Sequence, residues 1–120
     1  MNKKEYKKLI IYILKNDGAT IDAGGALVSI NSGYVVSDKN YNIKLKNITS
    51  LKLKTLNKLL KIAGVFNLFI GVWYDAKNKR YEIDANYIIN DLQRAVITAR
   101  RNKQRAIYDL KNNNNILINY

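Results

Sequence analysis

The apolar residues of this chain change their spacing along its length, and the order of those changes narrows the fold more than any single motif. Leu9, Ile13 and Tyr6, with Ile10, recur at three- and four-residue intervals while Lys4, Lys8 and Lys15 lie on the other side. Residues 3–16 therefore read as an amphipathic helix, stopped by Asp17-Gly18. The period then falls to two. Thr20 to Ala23 reads as extended, Gly24-Gly25 as a turn, and Ala26 to Ile30 as a β-rich run. Asn31-Ser32-Gly33 marks a tight turn before a strand at Tyr34 to Ser37. Asp38-Lys39-Asn40 marks a second turn before Tyr41 to Leu45. Residues 19–46 are expected to form an antiparallel meander.

Helical spacing returns over residues 50–63, with Ser50 as N-cap, an apolar side of Leu51, Leu53, Leu56, Leu59, Leu60 and Ile62, and Gly64 as the stop. Val65 to Tyr74 is almost wholly apolar and reads as a central strand. Asp75 to Lys79 is a hairpin loop. Arg80 to Ala85 alternates, with Tyr81 and Ile83 inward and Arg80, Glu82 and Asp84 outward. Asn90 or Asp91 caps a third helix that runs to about residue 103. Ala106 to Leu110 reads as a strand, Lys111 to Asn115 as a polar loop ending in four asparagines, and Ile116 to Ile118 as a last short strand. There is no proline, internal repeat or linker. The expectation is one domain over residues 1–120, of α+β class, with an antiparallel sheet of about six strands and three helices packed against it.

Composition removes several kinds of chemistry. With no cysteine there is no disulfide framework, thiolate nucleophile or cysteine metal site. With no histidine there is no serine– or cysteine–histidine triad and no zinc site of the usual hydrolase or deaminase kind. Ser29, Ser32 and Ser37 thus have no histidine to activate them, and Gly24-Gly25 and Gly33 make no phosphate-loop pattern. Glu82 and Asp84 share a strand face and could hold Mg²⁺, but a polar outer face accounts for them equally. No catalytic residue, metal or cofactor is expected. No uncharged run approaches the ~18 residues that span a bilayer. The basic start before Leu9 to Leu14 looks like a signal peptide, but the apolar part is short and no small-residue cleavage site follows. A helix of the folded protein is the reading taken.

The net charge is +12, spread over both halves. Such a chain favours anionic partners: nucleic acid, nucleotides, anionic lipid or an acidic protein. Base composition alone also explains many lysines, since the chain is rich in Asn, Ile and Tyr. The arginines are more telling. Sixteen lysines carry most of the charge, yet four of five arginines fall between residues 94 and 105. Arginine supplies a planar fork that grips phosphate bidentately and stacks on a base. On a helical wheel, Asn90, Thr98, Arg101 and Arg105 lie within about 40° of Arg94, with Arg100 beside the stripe. Leu92, Ala95, Val96 and Ala99 gather on the packing side. The stripe reads as a phosphate clamp, or as a solvated helix face. Trp73, Tyr34, Tyr74 and Tyr108 sit near strand ends, where a ring could stack a base, though each also reads as core. The candidate ligand-binding residues are Arg94, Arg101, Arg105, Arg100, Asn90, Trp73 and Tyr34. Charge reversal at Arg101 is expected to abolish small-ligand binding, and the same change at Lys4 and Lys8 to spare it.

The order of motifs adds a resemblance. Gly18 to Asp22, Ser32 to Ser37, Ile70 to Asp75, Tyr81 to Asp84, and the arginine helix leading into Gln104 to Leu110 together resemble the first Thoeris anti-defence family, the phage "sponge" proteins. The similarity spans roughly residues 18–110 and rests on short motifs. It leaves the first helix and the asparagine run unexplained. It implies a cytoplasmic protein of an infected bacterial host that captures cyclic ADP-ribose isomers made by TIR enzymes, and in some members cyclic oligonucleotides, without cleaving them. It also implies dimers or larger oligomers with shared pockets, and a phosphate-binding role carried to Arg101 and Arg105. A basic nucleic-acid-binding or CRISPR-blocking phage protein, and an assembly protein of a mobile element, are the other readings.

Overall fold

The computed structural model describes residues 1–119. Its first helix, α1 (Lys3–Asn16), starts on a reciprocal cap: Asn2 Oδ1 accepts the Glu5 N–H at 2.9 Å, and Glu5 Oε1 accepts the Asn2 N–H at 3.0 Å. It stops at Asp17, which takes the left-handed conformation, and β1 (Gly18–Ile21) follows directly. The strand expected at 26–30 does not form. Asp22 Oδ1 accepts the N–H groups of Gly24 and Ala26, which curls the chain. The segment reaches the sheet only at an isolated bridge of Leu27 to Ile21, where the Val28 N–H donates to the Thr20 carbonyl at 2.9 Å and the Ala26 carbonyl accepts the Asp22 N–H at 3.0 Å.

The turn expected at Asp38-Lys39-Asn40 is instead a bulge within one long strand, β2 (Tyr34–Leu45). Ser37 faces Asn86 and Asn42 faces Asp84 on β4 (Arg80–Ile89). Five steps along β2 thus match two along β4, an excess of three residues. Asp38 holds the bulge: its Oδ1 accepts the Asn40 N–H at 2.9 Å and its Oδ2 accepts the Tyr87 hydroxyl at 3.1 Å. Because the excess is odd, Ser37 and Asn42 share a face although five positions separate them.

Ser50 ends a short 3₁₀ turn, and α2 (Leu53–Phe66) begins later than expected. It also runs through Gly64 and stops at Asn67, left-handed with φ 56°. Val65 and Phe66 are therefore helical, and β3 is Phe69–Asp75. α3 (Leu92–Arg101) is capped by Asp91, whose Oδ2 accepts the Arg94 N–H at 3.1 Å. Asp91→Ala is expected to cost about 1 kcal/mol, read as a lower urea midpoint. The helix ends at Arg101, so Arg105 lies beyond it and off the helical stripe. β5 (Ala106–Asp109) and β6 (Asn114–Leu117) complete the sheet, with Asn114 and Asn115 paired and not looped.

The sheet is antiparallel throughout, in the order β1-β3-β4-β2-β5-β6. It is the expected α+β architecture of six strands and three helices. All three helices cover one face. Leu9 and Ile13 of α1 and Leu56, Leu60 and Ala63 of α2 pack with Ile21, Ile70, Val72 and Ile83. Ala95 and Ala99 of α3 pack with Val36, Ile107 and Ile118, where small side chains let helix and sheet approach closely. Leu92, expected on that packing side, is instead 42% exposed. Partly buried Tyr87 touches both clusters, so the core continues across the sheet.

Candidate functional site

Among the described residues, the other face of the sheet carries no helix. Residues directly opposite one another across antiparallel strands share a face. The register therefore aligns Gly18, Trp73, Glu82 and Lys44 in one row, and Thr20, Gly71, Asp84 and Asn42 in the next. Phe69, Asn86 and Ser37 form a third, and Ile88, Val35, Tyr108 and Asn115 a fourth. Residues of these rows floor a cleft of about 900 Å³, which Lys39 and the Asn102-Lys103-Gln104 turn after α3 also line. Glu82 and Asp84 point away from the helices, as their alternation predicts, but they are not a solvated surface. Each is only 9% exposed.

Asp84 organises this floor. Ser37 Oγ donates to its Oδ2 at 2.9 Å, and Asn86 Nδ2 donates to its Oδ1 at 3.0 Å. The carboxylate thus fixes the amide orientation of Asn86. Asn86 is 3% exposed, and its Oδ1 has no hydrogen-bond partner. Such buried orphans are rare in folded proteins. Gly71, next to both groups, makes room for them: a Cβ there would stand 2.8 Å from Asn86 Nδ2 and 3.0 Å from Asp84 Oδ1.

Burial raises the Asp84 carboxyl above its ordinary value, against the lowering effect of the Asn86 and Ser37 hydrogen bonds. The ionised form therefore opposes folding. Asp84's contribution to stability is intact below the ordinary carboxylate range, near about pH 4, and is lost as pH rises through the folded-state value. Asp84→Asn is expected to raise Tm at neutral pH, with the gain shrinking on acidification. Paired thermal scans of the two proteins across pH check this.

Two aromatic rings line the cleft without being core. Trp73 is 46% exposed and Tyr108 37% exposed. β3 and β5 are separated by β4 and β2, so the rings stand three strand spacings apart across the sheet, about 14 Å, and three rows apart along the strands, about 20 Å.

The arginines are placed differently. Arg94, Arg100, Arg101 and Arg105 are all exposed, and none lines this cleft. The Arg100 fork is engaged by backbone, with Nε and Nη2 donating to the Asn119 carbonyl at 3.2 and 3.1 Å. Tyr34 and Asn90 line a second, smaller cavity of about 330 Å³ with Asp109 and Lys111. Of the seven candidate ligand-binding residues, only Trp73 lies in the larger cleft, together with Tyr108, another ring considered for stacking, and the Glu82 and Asp84 pair considered for Mg²⁺. The sequence offers Asp84 only as half of a Mg²⁺ pair with Glu82, Ser37 only as an unactivated nucleophile and Asn86 not at all, because nothing in a single strand reveals which residues of other strands stand beside it. Among the described residues, no three acidic side chains gather as a metal site.

Charge is sorted by burial. Four of the nine carboxylates, Asp38, Glu82, Asp84 and Asp109, are buried, leaving five nearer the surface against 21 lysines and arginines. No protein-family model matches the chain, and comparison with curated proteins and with solved structures gives no significant match.

Proposed function

We propose that this protein binds a small phosphate-bearing nucleoside ligand in the cleft on the helix-free face of its sheet and releases it unchanged. The observation that carries the proposal is the composition of that cleft. Hydrogen-bond acceptors form the floor, Trp73 and Tyr108 offer exposed rings, and Lys39, Lys44 and Lys103 supply positive charge. A volume of about 900 Å³ suits one such ligand. Sugar and base hydroxyl or amino groups meet the floor, a base stacks on a ring, and phosphate meets the lysines. In its finer form, following the resemblance to the Thoeris anti-defence family, the ligand is a cyclic ADP-ribose isomer held by a phage sponge protein in the host cytoplasm. The resemblance also brings self-association. The strands β1 and β6 end the sheet and are the natural edges for it.

The direct test is to soak the protein in lysate of cells with an activated TIR enzyme, release its contents by heat and identify them by mass spectrometry. An intact cyclic nucleotide is the expected product. Recovery of none, or of a cleaved one, counts against the proposal. Charge reversal tests where phosphate sits. Lys103→Glu is expected to weaken AMP binding by about tenfold or more, whereas Arg101→Glu leaves it nearly unchanged. The opposite ranking returns the phosphate to the arginine helix.

The surface excess of cations favours a second reading, nucleic-acid binding driven by phosphate neutralisation. It demands duplex or RNA binding that weakens steeply with salt. A flat gel shift at low salt removes it.

A further inference from the structure

We infer that Asn86, with Asp84 and Glu82 beside it, forms a ribose-diol subsite on the floor of the cleft. This rests on the nucleotide reading above and adds which part of the ligand goes deepest. The starting point is the unpartnered Oδ1 of Asn86, an acceptor in a side chain only 3% exposed. Its own Nδ2 is committed to Asp84 Oδ1, so the amide cannot flip to relieve the mismatch without breaking that bond. A bound group must therefore bring a hydrogen-bond donor. Phosphate, fully ionised, has none to give, so the phosphate end does not sit here.

The neighbours narrow the donor further. Asp84 and Glu82 are also acceptors when ionised, and Asp84 lies two residues from Asn86 on the same strand face. Two acceptor groups set side by side match two adjacent O–H donors, which a cis-diol presents. An ammonium group fits less well. Lys44 stands directly across the ladder from Glu82, so a second cation on this row would meet a like charge. The missing side chain at Gly71 gives both groups their place, since any Cβ there would press on Asn86 and Asp84. In this arrangement one ribose hydroxyl donates to Asn86 Oδ1 and the other to a carboxylate. Trp73 and Lys44 occupy the same cross-strand row as Glu82, within reach of the base and the phosphate.

The test uses the unaltered protein, so folding does not enter. Isothermal titration with AMP, 2′-deoxy-AMP, 3′-deoxy-AMP and 2′,3′-dideoxy-AMP reads each hydroxyl separately. Each lost hydroxyl is expected to weaken binding by about tenfold, because a buried acceptor is left unpaired. Equal affinities for AMP and its dideoxy analogue overturn the diol assignment and leave nucleotide binding standing. No binding of AMP at millimolar concentration overturns the nucleotide reading and this assignment with it. An Asn86→Ala variant, with its fold checked by circular dichroism, closes a double-mutant cycle. In it the AMP-to-dideoxy difference is expected to shrink by about tenfold. An undiminished difference in a folded Asn86→Ala protein places the diol elsewhere.

Discussion

Replacing Trp73 with alanine is expected to weaken AMP binding by about 10- to 100-fold, the contribution of one stacked base, with little change in stability. The indole belongs to neither apolar cluster, and nearly half of its surface is exposed. Its backbone pairs with Gly18 on one side and Glu82 on the other, and those ladder contacts do not depend on the side chain. Calorimetry with AMP and thermal denaturation of the same samples separate the two effects. Unchanged affinity would mean that the base does not lie over this ring, leaving Tyr108 as the stacking surface. Loss of both affinity and stability would show that the indole supports the fold, contrary to its placement.

Gly71→Ala is the second large effect, and it acts by filling space. A methyl group there meets Asn86 Nδ2 at 2.8 Å and Asp84 Oδ1 at 3.0 Å. The first is shorter than carbon ordinarily tolerates, and both neighbours are short, buried side chains with little freedom to retreat. One outcome is that the Asp84–Asn86 bond breaks and the floor rearranges, with an overpacking cost of about 1–3 kcal/mol. AMP affinity is then expected to fall by about tenfold or more, because the acceptors no longer hold their positions. Native affinity in Gly71→Ala would show that the ligand does not touch this part of the cleft.

Much of the fold was legible because its signals are local. The three- and four-residue spacing of Leu9 and Ile13 and the Asp91 before α3 each act over one helical turn. The errors have two causes: a local signal is overruled by a partner distant in sequence, or by a second signal close by. Asp38-Lys39-Asn40 has turn composition, yet pairing with β4 and the Tyr87 hydroxyl keeps it inside a strand. Gly64 looks like a helix stop, but the stop falls at Asn67. Ala26 to Ile30 has strand composition, but Asp22 captures the Gly24 and Ala26 amides. Of the candidate ligand-binding residues, the sequence pointed to this site only through Trp73. The arginine cluster drew attention because it is contiguous in sequence. The cleft floor is assembled from β2, β3 and β4, and its members are ordinary polar residues until the register sets them side by side.

The bulge in β2 works like a reading frame. Its three surplus residues determine which half of the following alternation looks into the cleft and which half into the core. Adding or removing two residues there keeps Asn42 and Lys44 in phase with Asp84 and Glu82. Adding or removing one puts Ile43 and Leu45 in their place and sends the lysine toward the helices. Length variation at this point is therefore quantised: changes in steps of two resize the rim of the cleft, and single-residue changes scramble it.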